Sequence, residues 1–217
     1  MIVAIDGPAG AGKSSVSRLL AERLGFQFLD TGAMYRAVAL AALERGLGDG
    51  DEDKIARMTP SLTLDFSGNQ VLLDGRDITA TIRTSRVSAA VYLAADNPQV
   101  REKMVEMQRQ IAGARDTVTE GRDQGTVAFP HAECKIYLTA TPEERARRRH
   151  AELKSRGEEI SFDEVLAQNA ARDFRDSTRS VGRLVKAAEA VEVYTDGLTT
   201  EQVIDRLEKI VRESLNK

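Results

Sequence analysis

The sequence predicts an α/β fold built on a parallel sheet of about five strands. Three observations predict it. Short, continuous apolar runs alternate with segments whose apolar residues recur at helical spacing. The first apolar run ends at a glycine-rich loop that opens a helical segment. One stretch with period-two apolar residues breaks the alternation and marks an insertion. Strand–helix alternation implies βαβ units with right-handed crossovers.

Each element follows from its own residues. "IVAI" is apolar on both faces, so it reads as a buried parallel strand. "KSSVSRLLAERLG" has helical apolar spacing and stops at Gly25. "FQFL" is the next strand, "DTG" a polar turn, and Ala33 to about Glu44 a helix stopping at Gly46. The insertion, "LTLDFSGNQVLLDGRDITATIRT" (Leu62 to Thr84), reads as an antiparallel hairpin around Ser67-Gly68-Asn69 with a further short strand. Lying outside the alternation, it suggests a substrate-side lobe. An amphipathic helix begins near Asn97-Pro98. Strands "TVTEG", "KIYL" and "VEVY" follow, separated by helical material such as "TPEERARRRHAELKSRG". "GEEISFDEVLAQNAARDFRDSTRS" is charged and helix-prone.

Composition narrows the function. The 217 residues suit one α/β domain with small insertions. A net charge of −3 gives no bulk drive toward a nucleic acid polymer. The single cysteine, Cys134, cannot form an intrachain disulfide, and it reads as a buried structural thiol at the start of an apolar run. Two histidines and one cysteine, far apart, do not suggest a zinc site. No apolar stretch approaches the ~20 residues of a membrane span, and "MIVAI" lacks a basic leader region. A cytoplasmic protein without membrane partners is expected.

The chemistry starts at "GPAGAGKSS", Gly7 to Ser15. It fits G-x-x-x-x-G-K-[ST], with Gly7, Gly12, Lys13 and Ser14 in the fixed places. Such a loop turns successive N–H groups inward onto phosphate oxygens. Lysine adds a mobile charge, and a hydroxyl can ligate magnesium. The pattern arises by chance in a chain this long in roughly 1 in 100 cases or fewer. Whether Ser14 or Ser15 takes the metal stays open.

Further candidates sit at strand ends, where parallel-sheet ligands bind. In "DTGAMYR", Thr31 can hydrogen-bond an anion and Arg36 can clamp a phosphate. An N-cap at Thr31 with a solvated helix face beyond it explains the segment equally well. In "EGRDQGT", Arg122 and Asp123 suggest polar binding, with a structural Arg122–Asp123 ion pair as the alternative. Arg172, Arg175, Asp176 and Arg179 fall on one helix face, where their charges call for a compensating anion or acid. Arg145 to Arg149 could be a solvated face or a binding one.

Among phosphate-loop proteins, a GTPase lacks its N-K-x-D segment here, and a translocase lacks a basic track. A passive nucleotide-binding module would not need a second arginine-lined site. A small-molecule kinase needs two phosphate sites and neutralising arginines, which this chain offers.

In order and spacing, "GPAGAGKSS", "DTGAMYR", "EGRDQGTVAFPHA" and "ARDFRDSTR" resemble bacterial-type cytidylate kinases, a family of P-loop nucleoside monophosphate kinases. The similarity runs from residue 2 to the C-terminal helix, and "EGRDQGTVAFP" is its most specific element. The resemblance implies one kinase chain. Its core would lie at about 1–35, 94–150 and 180–217, its monophosphate-binding lobe at about 36–93, and a helical lid at about 151–179. ATP phosphates would sit on Gly7, Pro8, Ala9, Gly10, Ala11, Gly12, Lys13, Ser14 and Ser15, with Mg2+ brought by ATP.

CMP or dCMP would meet Thr31, Tyr35, Arg36, Arg101, Arg122, Asp123, Arg172, Asp176 and Arg179. Of these, Arg36 and Arg122 would contact phosphate, Arg101 and Asp123 the base, Arg172 and Asp176 the ribose. Arg179 would be a lid phosphate contact. Lys13, Arg36, Arg122 and Arg179 would carry catalysis. The implied reaction yields CDP or dCDP plus ADP, by a monomer in pyrimidine metabolism. The alternatives are a kinase for another monophosphate such as UMP, or a P-loop protein that is no kinase. Two positions depart from the family: Tyr92 stands where it can place a base-reading serine, and Arg183-Leu184 where it usually shows Pro-Leu.

Overall fold

The computed structural model describes residues 1–67 and 70–215. From the amino terminus run strand β1 (Ile2–Asp6), helix α1 (Lys13–Leu24), strand β2 (Gln27–Asp30) and helix α2 (Thr31–Glu44). Helix α3 (Glu52–Met58), strands β3 (Leu64–Ser67), β4 (Gln70–Leu73) and β5 (Arg76–Asp77), and short helices α4 (Ser85–Ala90) and α5 (Tyr92–Ala95) follow. Then come α6 (Pro98–Ala112), β6 (Thr117–Gly121), β7 (Cys134–Thr139), α7 (Pro142–Ser155), α8 (Phe162–Thr178), β8 (Val191–Tyr194) and α9 (Thr200–Leu215). The chain divides into two compact units, residues 1–29 with 112–217, and residues 30–111.

The first unit is built on the expected five-stranded parallel sheet, in the order β2-β6-β1-β7-β8. β1 lies at its centre, pairing parallel with β6 and with β7. That position explains why its core residues Val3, Ala4 and Ile5 are all apolar and fully buried. Val16 and Leu20 of α1 and Val203, Leu207 and Val211 of α9 pack on the same core. Their i, i+4 spacing puts them on one stripe of each helix. Each such fully buried side chain stabilises the fold by about 1.5–3 kcal/mol. α1 stops at Gly25, and Cys134 is buried at the head of β7. No described helix is long and apolar enough to cross a membrane.

The second unit holds the insertion. β3, β4 and β5 form an antiparallel sheet, with Leu64 opposite Leu73 and Leu73 opposite Arg76. The expected turn at Gly68-Asn69 lies outside the described residues. Beyond Asp77 the chain leaves the extended state for a 3-10 turn at Thr81–Arg83.

One boundary differs from expectation. There is no separate "DTG" turn: α2 begins at Thr31, directly after β2. The reason is that Asp30 closes the strand and caps the helix at once, accepting from the Ala33 N–H at 2.8 Å. After Arg122-Asp123 the chain makes a single π-type turn, Gln124–Ala128.

Candidate active site

The loop after β1 is shaped by close approaches. Gly7 has φ 152, and a Cβ there would lie 1.9 Å from the Leu138 carbonyl oxygen of β7. Only glycine lets the chain leave the central strand so near its neighbour. Lys13, at the first position of α1, is 5% exposed and folds back so that Nζ donates to the Pro8 carbonyl at 2.7 Å. Burial pulls its ammonium down to about 7, Arg122 adds to the fall, and Glu120 opposes it. Its charge is therefore poorly compensated, and an anion seated in the loop would be welcome there.

Two acids fix the surroundings. Asp6, the last residue of β1, accepts from the N–H groups of Gln124 and Gly125, each at 2.8 Å. Burial pushes its carboxyl up to about 6, and those two bonds hold the rise back. It thereby ties the turn after Arg122-Asp123 to the end of the central strand. Glu120, in β6, accepts from Ser14 Oγ at 2.8 Å. A hydroxyl and a carboxylate this close are hard oxygen ligands of the kind magnesium takes.

Two arginines of the first unit, Arg122 and Arg179, converge on one acid. Asp176 of α8 accepts from Arg122 Nε at 2.7 Å and is also ion-paired with Arg179. Burial alone would raise the Asp176 carboxyl. Arg122, Arg179 and Arg172 outweigh it and hold the group below the usual carboxylate range. Arg122 thus pairs with Asp176, 54 residues away in sequence, and the alternative of an Arg122–Asp123 pair gives way. The shared helix face is also corrected. α8 ends at Thr178, Arg179 turns back from the cap with ψ 155, and Arg175 is exposed. Asp123 is buried beside Arg122, 2% exposed.

The run Arg145 to Arg149 is not one surface. Arg145 is buried against the phosphate loop, donating to the Ala9 carbonyl at 2.9 Å. Arg148 donates to Thr195 Oγ1 at 2.8 Å, whereas Arg147 is solvated and pairs with Glu144.

The second unit carries Thr31, Tyr35 and Arg36 on the first turns of α2, and Arg101 on α6. Arg101 lies over the Tyr35 ring, 5.0 Å from its centroid, and donates to the Ala95 carbonyl at 3.0 Å. Both side chains are buried, so the stack is shielded from water and worth more than an exposed one. Arg36 stands 3.6 Å from Asp30, and its buried Nε has no hydrogen-bond partner. A buried guanidinium donor left unsatisfied is costly, which suits a residue kept for an incoming anion. Thr31 is the first helical residue and not the cap, a place Asp30 takes. The Tyr92 hydroxyl donates to Asp49 at 2.7 Å.

The sequence reading named the loop, Arg122 and Asp176, but missed Asp6 and Glu120 as structural partners. Asp6 carried a signal: an acid closing an otherwise apolar strand is seldom buried unless something pairs with it.

With this geometry in view, likeness to known proteins is informative. The family model described as cytidylate kinase matches residues 3–213. A cytidylate kinase from Rhodopirellula baltica is 47% identical over 213 residues, covering 98% of this chain and 93% of that protein. One from Carboxydothermus hydrogenoformans is 47% identical over 215 residues, covering 97% of each. A solved gluconokinase from Sinorhizobium meliloti matches with TM-score 0.51 at 14% identity, over 99% of this chain and 93% of that one, which shows a shared fold and nothing about the acceptor. A match spanning both units and nearly the whole length, on a chain with a lysine-bearing phosphate loop, means that this chain belongs to the cytidylate kinase family.

Proposed function

We infer that the protein transfers the γ-phosphoryl of ATP to CMP or dCMP, giving CDP or dCDP and ADP. The observation that carries this reading is the pairing, in one unit, of the Gly7–Ser15 loop with Arg122 and Arg179 gathered on Asp176, in a member of this family. Phosphoryl transfer depends on positioning and charge neutralisation, and needs no covalent intermediate. Lys13 neutralises charge on the transferring group. Arg36, Arg122 and Arg179 hold and neutralise the acceptor phosphate, whose oxygen needs no dedicated base. Thr31, Tyr35, Arg172 and Asp176 orient the monophosphate. The lid at about 151–179 closes to exclude water, and the lobe at about 36–93 serves the monophosphate. The enzyme works as a cytoplasmic monomer, which size-exclusion chromatography tests.

Ser14, supported by Glu120, fits a magnesium ion held mainly by the phosphates of ATP. When bound there, such an ion would supply positive charge that offsets the charge of the ATP phosphates.

Base choice follows from hydrogen-bond sense. The Asp123 carboxylate only accepts, which suits the cytosine amine and repels the uracil carbonyl. Arg101 only donates, which suits the cytosine ring nitrogen and opposes the uracil N–H. Groups left unpaired in a dry site cost several kcal/mol. In an ADP-release assay across CMP, dCMP, UMP and AMP, kcat/KM for CMP is expected about 100-fold above UMP, or about 2.7 kcal/mol. Equal use of UMP would remove the base-reading role, and ATP binding without any transfer would leave a nucleotide-binding protein.

ATP binding should also depend on pH. Lys13 is near 7 in the chain as described, and bound phosphate raises it. Below about pH 7 the lysine is charged with or without ATP, so this group leaves affinity flat. Above it, only the bound form keeps the proton, so affinity falls by up to about tenfold per pH unit. Calorimetry at pH 8 in buffers of different ionisation enthalpy should register proton uptake. No uptake would remove Lys13 from the phosphate contact.

A further inference from the structure

The crown of the phosphate loop is held from outside by two residues of the helical region. The peptide unit between Pro8 and Ala9 is engaged at both ends. Its carbonyl accepts from Lys13 Nζ at 2.7 Å, and its N–H donates to Asp173 Oδ1 at 3.2 Å. The next carbonyl, that of Ala9, accepts from Arg145 Nη1 at 2.9 Å. The same Nη1 is ion-paired with Asp173 Oδ2, while Nε donates to the Ala140 carbonyl at 3.2 Å. Ala9, Asp173 and Arg145 therefore close a ring of three hydrogen bonds. The approach is tight: at Gly10, with φ 76, a Cβ would lie 3.0 Å from the Arg145 carbonyl oxygen. Arg145 is 7% exposed, so Asp173 and not water balances its charge. Asp173 stands on α8 beside Arg172 and one turn before Asp176.

We infer that Asp173 and Arg145 are a positioning pair that sets the crown of the phosphate loop in register with Asp176 and, through it, with Arg122 and Arg179. The inference rests on the proposed seat of ATP at Gly7–Ser15, and it adds residues that touch neither substrate. In-line transfer tolerates little misplacement between the two grips. Loosening the ring therefore costs turnover whichever member is removed. Ground-state effects differ in sign. Without the Asp173 charge, Arg145 stands uncompensated beside the loop and attracts polyphosphate. Without Arg145, the Asp173 carboxylate repels it. A role in folding alone would not split the two.

The test uses the full chain with ATP varied at saturating CMP. Asp173→Asn keeps volume and an acceptor but loses the charge; it and Arg145→Ala should each lower kcat by about tenfold. KM for ATP should rise about threefold or more in Arg145→Ala and not rise in Asp173→Asn. The double variant should fall no more than about threefold below the worse single one, because the ring is already open. A second arm needs no activity: Asp173→Ala should speed amide hydrogen exchange at Ala9 while the β1 amides keep their protection. A kcat for Asp173→Asn within about threefold of wild type, a KM that rises alike in both, multiplying effects in the double variant, or unchanged exchange at Ala9 would each overturn the pair. A wild-type chain that fails to phosphorylate CMP would instead sink the proposed function, and the exchange arm would still decide the pair.

Discussion

Lys13→Ala is expected to lower kcat by about 10²–10³-fold, roughly 2.7–4 kcal/mol of barrier, the scale seen when one preorganised charge-stabilising group is removed from a dry site. Lys13 is buried, its amine points at the Pro8 carbonyl, and burial first and Arg122 second depress its pKa. In the proposed reaction that unfavourable neighbourhood would become favourable once phosphate arrives, and most of all as negative charge shifts during transfer. The fold should survive, because the substitution removes a poorly compensated buried charge and leaves helix-forming alanine at the start of α1. Steady-state kinetics and a thermal melt check both halves. A kcat within about threefold of wild type is under 1 kcal/mol and would take Lys13 out of catalysis. A collapsed melt with unchanged kcat per folded molecule would make it a structural lysine.

How much of this was legible in the sequence depends on how local each interaction is. The loop was readable because G-x-x-x-x-G-K-[ST] is a contiguous pattern whose strand and helix context lie within a few residues. The parallel strands were readable because burial on both faces leaves a continuous apolar run, as in β1. The start of α2 was misplaced because Asp30 serves two elements at once, and a polar strand end looks like a turn. The partner of Arg122 was not legible, since adjacent Asp123 is the nearer acid in sequence while Asp176 is the nearer one in space. Arg145 illustrates the same limit. In "RARRR" every arginine looks alike, but helical phase turns one toward the phosphate loop and Arg147 toward solvent. Side chains that act at long range are specified by the fold, not by their neighbours in the chain.

Asp176→Ala is expected to be the most destabilising single change at the candidate site. Asp176 and Arg179 are both buried, and the carboxylate takes one oxygen to Arg122 and the other to Arg179. Removing it takes the shared carboxylate from two largely buried guanidinium groups, and loss of one partner of a buried pair typically costs about 3–5 kcal/mol. For a chain of this size that corresponds to a fall in Tm of roughly 10 °C. The loss has a pH signature whose sign is fixed by the direction of the shift. The arginines hold the folded-state carboxyl below its unfolded value of 3.8. Its contribution is therefore fully present above the unfolded value and is lost as pH falls through the lower, folded one. Urea unfolding of wild type and variant should show the full gap at pH 7, and a narrower gap at pH 3. Activity should fall with stability at pH 7, because Arg122 and Arg179 lose the acid that aims them. Asp176→Asn, which preserves shape and one acceptor but no charge, should recover part of the stability and little of the turnover. A gap under about 1 kcal/mol at pH 7, or one that does not narrow at pH 3, would mean that water and not Asp176 compensates these arginines.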